Sequence, residues 1–464
     1  MEGNIWADPN ACRALTLLIL DDRRRSHILK GRRCLPPMLY AEHVAPFLRF
    51  DEPLPNMLYA FGGRSHSHGS LSEVAMLDTW HGLWVPCPPM PARRAGGGAA
   101  ALLDGRLLVA GGYDERGIVD GLLDRVDMYD PKIREWKVDG AAPLRRARWG
   151  HGCAALGGLV YVVGGCSLQH RWREPREASM ETLRSCEVYH PDKDVWLPAA
   201  SLQVARSGSR VVALGDRHLL AVGGCDDVFG RAETQPTAEL FDPRIGVWQV
   251  LSEQLAQPRT TAGVAAVDDR RVIVFGGAPS LASAEVYHVA EFGSAPGPAV
   301  VADVTPRRPR GDDAGPDDSG EEEEDDDNET LDDEADYRLV ANLPVGRMGC
   351  QAAAVRLPGP SSEYPTADRL CIAVVGGERC NTKPNEWPRV QQFSSVPVFD
   401  VEAGAWVAPD HSPIPPLPSP RTAVALCVGV GRVSAPPYAT WGKYVGKVLV
   451  DIEEEEAATP RRGA

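Results

Sequence analysis

The sequence predicts an all-β fold, a six-bladed β-propeller of four-stranded antiparallel blades, in a chain of 464 residues. Three repeated features predict it. They are an apolar run that ends in Gly-Gly, an aromatic or apolar residue followed seven positions later by Trp, and an Arg ahead of a strand of small residues. The chain also contains 46 Gly and 40 Pro, which indicates many turns and favours short strands over long helices.

The apolar run that ends in Gly-Gly occurs six times. The first five pairs are separated by 49, 53, 59 and 53 residues, and the sixth follows after 100, which is one repeat plus an insertion of similar length. Because the runs are almost continuously apolar, each predicts a strand buried on both faces. The pairs are Gly62 and Gly63, Gly111 and Gly112, Gly164 and Gly165, Gly223 and Gly224, Gly276 and Gly277, and Gly376 and Gly377.

The Trp of each repeat lies at a fixed distance from an earlier Leu, Tyr or Phe, so we interpret it as a packing residue and not as a ligand-binding one. The fifth repeat has Tyr287 but meets the insertion where its Trp is expected, and Tyr337 is the candidate for that place. The five pairs are Leu77 and Trp84, Tyr129 and Trp136, Tyr189 and Trp196, Phe241 and Trp248, and Phe399 and Trp406.

An Arg precedes four of the Gly-Gly pairs by 16 or 17 positions, and a fifth Arg precedes its pair by 29 because a loop intervenes. A position that recurs in each repeat indicates a contact between neighbouring blades and not a set of separate catalytic sites. These residues are Arg94, Arg148, Arg206, Arg259 and Arg347.

One four-stranded sheet cannot bury both of its faces, so the repeats must stack radially into a closed ring. The Gly-Gly pair, the aromatic residue and the Trp seven positions later resemble the Kelch repeat, whose period is about 50 residues. The resemblance covers about 80% of the chain. It implies a protein-binding module, similar to the substrate receptors of cullin-3 ubiquitin ligases or to actin-associated Kelch proteins, in an adaptor or structural role. A Kelch enzyme acting on a sugar or small molecule is the alternative.

Residues 421–428 read as the first strand of a further repeat that has no Gly-Gly pair, so we expect them to complete the first blade. A seventh blade that uses residues 447–450 is the alternative. The predicted organisation is a short N-terminal segment (1–55), helical in part, a propeller (56–430) and a tail (431–464). The N-terminal segment is too short for the complete BTB and BACK region of Kelch-like proteins, which leaves ligase recruitment open.

The net charge of −15 arises from one tract. Residues 311–336 contain sixteen Asp and Glu and no Lys or Arg, and the rest of the chain carries about +1. The tract has too few apolar side chains to fold, so we expect a disordered insertion at 289–336, either a solvated loop or a docking segment for a basic partner. The sequence contains no basic stripe with interleaved aromatic residues. We therefore predict no nucleic-acid partner.

The sequence contains no run of about 20 apolar residues and no secretory signal, so we expect no membrane partner. Its eleven Cys form no CxxC pair and are expected to be reduced and mostly buried. These observations favour the cytoplasm or the nucleus. We predict no cofactor.

The loops after the Gly-Gly pairs break the repeat because they differ in length and charge. They connect equivalent strands and should therefore emerge on one face of the ring, which we predict as the partner-binding surface, with Arg and Trp as anchors. The candidate partner-binding residues are Arg64, His66, His68, Asp114, Arg116, His170, Arg171, Trp172, Arg173, Asp226, Asp227, Arg231, Arg379 and Trp387.

Catalysis would require a cluster of His, Tyr, Cys or carboxylate side chains that breaks the repeat. His66 and His68 come nearest to such a cluster, but a metal site needs three or four ligands and nothing in the sequence indicates the others. We therefore predict no catalytic residue and no metal site, and we expect that the protein is not an enzyme.

Overall fold

The computed structural model describes residues 57–79, 82–137, 140–169, 179–226, 234–289, 340–358, 368–381 and 389–429. These residues form short strands and one helix of four residues, α1 (Gly117–Asp120). The strands up to residue 199 are β1 (Met57–Phe61), β2 (Arg64–Ser65), β3 (Gly69–Ser70), β4 (Val74–Asp78), β5 (Leu83–Cys87), β6 (Gly98–Ala101), β7 (Leu107–Ala110), β8 (Val126–Asp130), β9 (Glu135–Trp136), β10 (Gly152–Leu156), β11 (Leu159–Val163), β12 (Cys166–Gln169), β13 (Ser179–Thr182), β14 (Cys186–His190) and β15 (Val195–Ala199).

The remaining strands continue the same order. They are β16 (Arg210–Leu214), β17 (His218–Val222), β18 (Thr237–Asp242), β19 (Val247–Gln254), β20 (Gly263–Ala266), β21 (Arg271–Phe275), β22 (Ala284–His288), β23 (Gln351–Pro358), β24 (Asp368–Val375), β25 (Glu378–Asn381), β26 (Arg389–Gln392), β27 (Val398–Asp400), β28 (Ala405–Trp406) and β29 (Ala425–Gly429).

Six antiparallel sheets form the blades, which confirms the predicted fold. From the first strand outwards, blade 1 is β29-β1-β4-β5, blade 2 is β6-β7-β8-β9 and blade 3 is β10-β11-β14-β15. Blade 4 is β16-β17-β18-β19, blade 5 is β20-β21-β22 and blade 6 is β23-β24-β27-β28. The fourth strand expected in blade 5, with Tyr337, lies outside the described residues.

The ring closes through β29, as predicted. This strand pairs along its whole length with β1, from Met57 opposite Gly429 to Phe61 opposite Ala425. The alternative seventh blade at 447–450 lies outside the described residues, as do the segments predicted at 1–55, most of 289–336 and 431–464. No helix among the described residues has the length and apolar character needed to cross a membrane.

A ring of six backbone hydrogen bonds shows independently that six blades surround the axis. Each donor is the N–H of the residue two positions after the repeated Arg of a blade, and each acceptor is the carbonyl oxygen of the equivalent residue in the preceding blade, at 2.7 to 3.0 Å. All six members have positive φ, between 53° and 66°. The members of this ring are Gly96, Gly150, Gly208, Thr261, Gly349 and Ala423.

The spacing of seven residues between the aromatic residue and Trp is the register of a hairpin. The third and fourth strands of a blade place the two side chains directly opposite each other, as in Tyr189 and Trp196 or Phe241 and Trp248. Their ring centroids lie 5.1 and 5.0 Å apart. The pair fills the space against the neighbouring blade, because paired aromatic rings bury a large apolar area.

The hydrophobic core consists of six clusters, one between each pair of adjacent blades. The second strand of each blade contributes to the clusters on both of its sides. In blade 2, Leu108 packs toward blade 3 and Leu107 packs toward blade 1, and both are fully buried. This arrangement confirms that the apolar runs are buried on both faces, and it makes the ring a rigid base for the loops.

Candidate protein-binding surface

Six buried Arg side chains fix the positions of the loops. Each guanidinium donates to the carbonyl oxygen of the first Gly of the Gly-Gly pair in its own blade, at 2.8 to 3.2 Å. The backbone carbonyl of the same Arg accepts from the second Gly of the preceding blade, at 2.8 to 3.0 Å. The contact between blades is thus made by the Arg carbonyl, whereas the Arg side chain stays within its blade. The six residues are Arg94, Arg148, Arg206, Arg259, Arg347 and Arg421.

The first Gly of each pair is required by this close approach. A Cβ on Gly223 would lie 2.4 Å from the carbonyl oxygen of Arg259, and one on Gly164 would lie 2.6 Å from that of Arg206. Both glycines also have φ near +62°, which L residues with side chains rarely adopt. The Gly therefore lets the chain turn sharply from the second strand into the loop.

Carboxylates neutralise most of these buried Arg residues. In blades 2 to 5 the acid lies two positions before the aromatic residue of the third strand. In blade 1 the acid is Glu73, which pairs with Arg421 and lies at a different position in the repeat. Burial lowers the pKa of Arg148, and the Glu187 carboxylate at 2.6 Å acts in the opposite direction. Sequence reasoning missed these acids, although their fixed offset from the aromatic residue was visible. They are Asp127, Glu187, Glu239 and Glu285.

Blade 6 departs from the pattern. Pro397 lies where blades 2 to 5 have the acid, and the guanidinium of Arg347 instead stacks on Phe393, 4.5 Å from the ring centroid. Arg347 also donates to the carbonyl oxygen and the hydroxyl of Ser395, both at 3.1 Å. A cation–π contact and neutral acceptors here replace an ion pair.

Each repeat Trp links its blade to the preceding one. The indole N–H donates to a carbonyl oxygen in the segment after the last strand of that blade, at 2.8 to 3.0 Å. Trp84 thereby joins blade 1 to blade 6 across the closure. The donor and acceptor residues are Trp84 and Pro415, Trp136 and Pro88, Trp196 and Ala142, Trp248 and Ala200, and Trp406 and Ala341.

The loops that follow the Gly-Gly pairs all start at one face of the ring. The residue after each pair forms a β-bridge with the residue after the buried Arg of its own blade, for example Tyr113 with Ala95 and Cys166 with Trp149. We call this surface the loop face and define it by the described parts of 64–72, 113–122, 166–184, 225–235, 278–283 and 378–392. Three of these loops contain hairpins that the sequence did not predict, β2-β3, β12-β13 and β25-β26.

Neighbouring loops contact one another across the loop face. The Gln392 side chain accepts from the N–H of His66 and donates to the carbonyl oxygen of Arg64, both at 2.9 Å. The Ser70 hydroxyl lies within hydrogen-bond distance of the carbonyl oxygens of Tyr113 and Asp114, at 3.2 and 3.1 Å. The loop face is thus one continuous surface from blade 6 through blade 1 to blade 2.

The structure brings half of the predicted partner-binding residues to this surface. Arg64, His66 and His68 are exposed on the first loop. Arg116, which is 63% exposed, forms an ion pair with Asp114 at 2.7 Å. Exposed Asp226 and Arg379 lie on the loops of blades 4 and 6. The other predicted residues lie outside the described part of the chain, namely His170, Arg171, Trp172, Arg173, Asp227, Arg231 and Trp387.

His66 and His68 do not assemble with further metal ligands in the described structure. His68 Nδ1 is hydrogen-bonded to the Ser67 hydroxyl at 2.7 Å. Within the residues that the structure describes, no group of three or more His, Cys, Asp or Glu side chains could hold a metal ion. The two His side chains are exposed polar groups on the first loop.

Comparisons with known proteins agree with this architecture. Residues 53–277 match the KLHDC2/KLHL20/DRC7 Kelch-repeats domain. Kelch-like protein 34 from Homo sapiens is 30% identical over 234 residues, which are 48% of this chain and 33% of that protein. Kelch-like protein 26 from Danio rerio is 26% identical over 228 residues, which are 48% of this chain and 34% of that protein. The chain therefore spans about a third of the length of these curated relatives.

The structure of YjhT aligns with a TM-score of 0.46 and 13% sequence identity, covering 73% of this chain and 88% of its own chain.

Proposed function

We propose that this chain, a Kelch-repeat propeller, is a protein-interaction scaffold that binds a partner protein on the loop face. The observation that supports the proposal most is the contrast between the ring and its loops. The same Arg–Gly contacts and the same backbone ring recur in all six blades, whereas the loops at one face differ in length, sequence and charge. Recognition residues are commonly placed on variable loops that a rigid scaffold holds in position.

The described residues supply the chemistry of such a surface. Arg64, His66 and His68 lie together on one hairpin, and Gln392 ties that hairpin to the loop of blade 6. An exposed Arg contributes several N–H donors in a fixed planar arrangement, which suits carboxylate and carbonyl acceptors on a partner. This proposal assigns binding, and not catalysis, to the loop face.

The finer proposal concerns the kind of partner. The Kelch-like relatives and the resemblance of the repeats support a role as the substrate-recognition subunit of a cullin-3 ubiquitin ligase. A role with the actin cytoskeleton is the alternative that the same resemblance supports. Both are roles in the cytoplasm or the nucleus.

The test is affinity purification of the tagged full chain from cells, with partners identified by mass spectrometry. The loop-face variant carries Arg64→Ala, His66→Ala and Arg116→Ala. The matched control carries Lys132→Ala and Arg217→Ala, which change exposed side chains in the turns at the opposite face.

We expect specific partners to be lost from the loop-face variant and kept by the control. A partner list that is unchanged in the loop-face variant would contradict the scaffold proposal. Cullin-3 should be retained by both variants, since the loop face would bind the substrate and not the ligase. The absence of cullin-3 from every sample would reject the ligase role and leave the scaffold proposal standing.

A further inference from the structure

The central channel contains a positively charged side chain, that of Arg210. The first strands of the six blades, β29, β6, β10, β16, β20 and β23, stand next to one another around the axis. Apart from exposed Arg356 toward the far end of β23, Arg210 is the single charged residue on these six strands. The equivalent place, four positions after the buried Arg, is occupied in the other blades by small residues and one Gln, namely Gly98, Gly152, Gly263, Gln351 and Ala425.

The Arg210 side chain crosses from its own blade to the next two. Its Nε–H donates to the carbonyl oxygen of Ala262 in blade 5 at 2.9 Å, and one Nη donates to the carbonyl oxygen of Cys350 in blade 6 at 3.0 Å. Arg210 lies two residues beyond Gly208, a member of the backbone ring at the loop face. The guanidinium is therefore held just inside the channel, near the mouth that opens on the loop face.

Arg210 has no carboxylate partner among the described residues, unlike most of the buried Arg residues of the repeats. Its two hydrogen bonds use two of the five N–H donors of a guanidinium, so three remain for another acceptor. Arg210 is half-buried, and this partial burial lowers its pKa to about 10.

We propose that Arg210 makes the loop-face mouth of the central channel a binding site for a small oxyanion of the size of phosphate or sulfate. The two carbonyl contacts fix the guanidinium plane, and the remaining donors present the fork that matches two oxygens of such an anion. Four of the five equivalent positions in the other blades carry Gly or Ala, which leaves room for an anion beside the guanidinium. The site is separate from the exposed loop residues and does not depend on a protein partner.

The test is a titration of the purified full chain with inorganic phosphate at constant ionic strength, followed by calorimetry and by NMR of ¹⁵N-labelled Arg side chains. We expect the Arg210 Nε–H signal, assigned by its loss in Arg210→Lys, to shift on phosphate addition. We expect at least a tenfold weaker affinity in Arg210→Gln. Arg210→Lys keeps the charge but loses the fork and should lie between the two.

Arg145→Gln is the matched control, because Arg145 is exposed and its replacement changes the net charge equally. It should bind phosphate as the wild type does. Equal affinity in Arg210→Gln and wild type, or an unchanged Arg210 signal in wild type through the low millimolar range, would overturn the proposal and leave Arg210 as a brace between blades. The NMR measurement on wild type decides the question even if Arg210→Gln does not fold.

Discussion

Replacing Glu239 by Ala should destabilise the propeller strongly. The carboxylate accepts three N–H groups, from the Arg206 side chain at 2.9 Å and from the backbone of Gln203 and Val204 at 2.7 and 3.0 Å. Both charged side chains are fully buried. Removal of one member of a buried ion pair costs about 3 to 5 kcal/mol, because the other charge stays buried and uncompensated. The two orphaned backbone amides place Glu239→Ala toward the upper part of that range.

The assay is urea unfolding followed by Trp fluorescence, since Trp248 lies in the same blade. Arg217→Ala serves as the control, because Arg217 is 74% exposed and its partner Asp216 is 96% exposed, so this substitution should cost no more than about 1 kcal/mol. A double variant, Arg206→Met with Glu239→Leu, should remain less stable than wild type, since the Gly223 and Thr237 carbonyls lose their donor. A loss below about 1 kcal/mol in Glu239→Ala would refute the reasoning that the pair is buried and mutually required.

Three further predictions concern the repeat contacts and one buried His. Gly111→Ala should lower the free energy of unfolding, measured in urea, by more than about 1 to 2 kcal/mol. The positive φ disfavours Ala, and the added Cβ would lie only 2.6 Å from the Arg148 carbonyl oxygen. Gly246 has positive φ but open space around it, so Gly246→Ala should show the cost of positive φ alone. Trp196→Phe should lower the free energy of unfolding by about 1 kcal/mol, because it removes the indole hydrogen bond to the Ala142 carbonyl oxygen. Burial, with Arg148 nearby, lowers the pKa of His151 to about 3, so between pH 6.5 and 3 the unfolded chain binds a proton that the folded chain excludes. His151 should therefore contribute a fall in stability of about 1.4 kcal/mol per pH unit below 6.5, which is lost in His151→Gln, and equal slopes in the two proteins would contradict this.

The sequence was sufficient for the ring and for its closure. The seven-residue spacing of Tyr189 and Trp196 is set by the register of one hairpin. Each repeat with the same hairpin therefore has the same spacing, which makes the repeat visible in the sequence. The closing strand could be predicted because residues 421–428 match a first strand that has no second strand after it, while β1 lacks a first strand before it.

The carboxylates and the backbone ring escaped prediction because they depend on contacts distant in the sequence. Arg148 and Glu187 are 39 residues apart, and blade 6 has Pro397 in place of the acid, so the acid does not occur in every copy. Two members of the backbone ring, Thr261 and Ala423, are not Gly. The ring position is defined by positive φ and not by residue type, so no repeated residue marks it in the sequence.

The loop hairpins were missed for a different reason. β2-β3 contains only two residue pairs, and its place is fixed by Gln392, which is more than 320 residues further along the chain. Residues such as Arg64 and His66 could therefore be assigned to a surface from the sequence, but their arrangement on it could not.

The pairing of β1 with β29 has a consequence for how the protein is made. Phe61 belongs to the apolar strand β1, and one edge of β1 is covered by residues 425–429. The ribosome adds those residues more than 360 positions after Phe61. At about 5 to 20 residues per second, synthesis leaves that edge open for roughly 20 to 75 s. An open apolar strand edge is a template for pairing with other chains. The nascent chain should therefore need protection by a chaperone until its last strand arrives, and a premature stop before residue 425 should yield aggregates and not a smaller propeller.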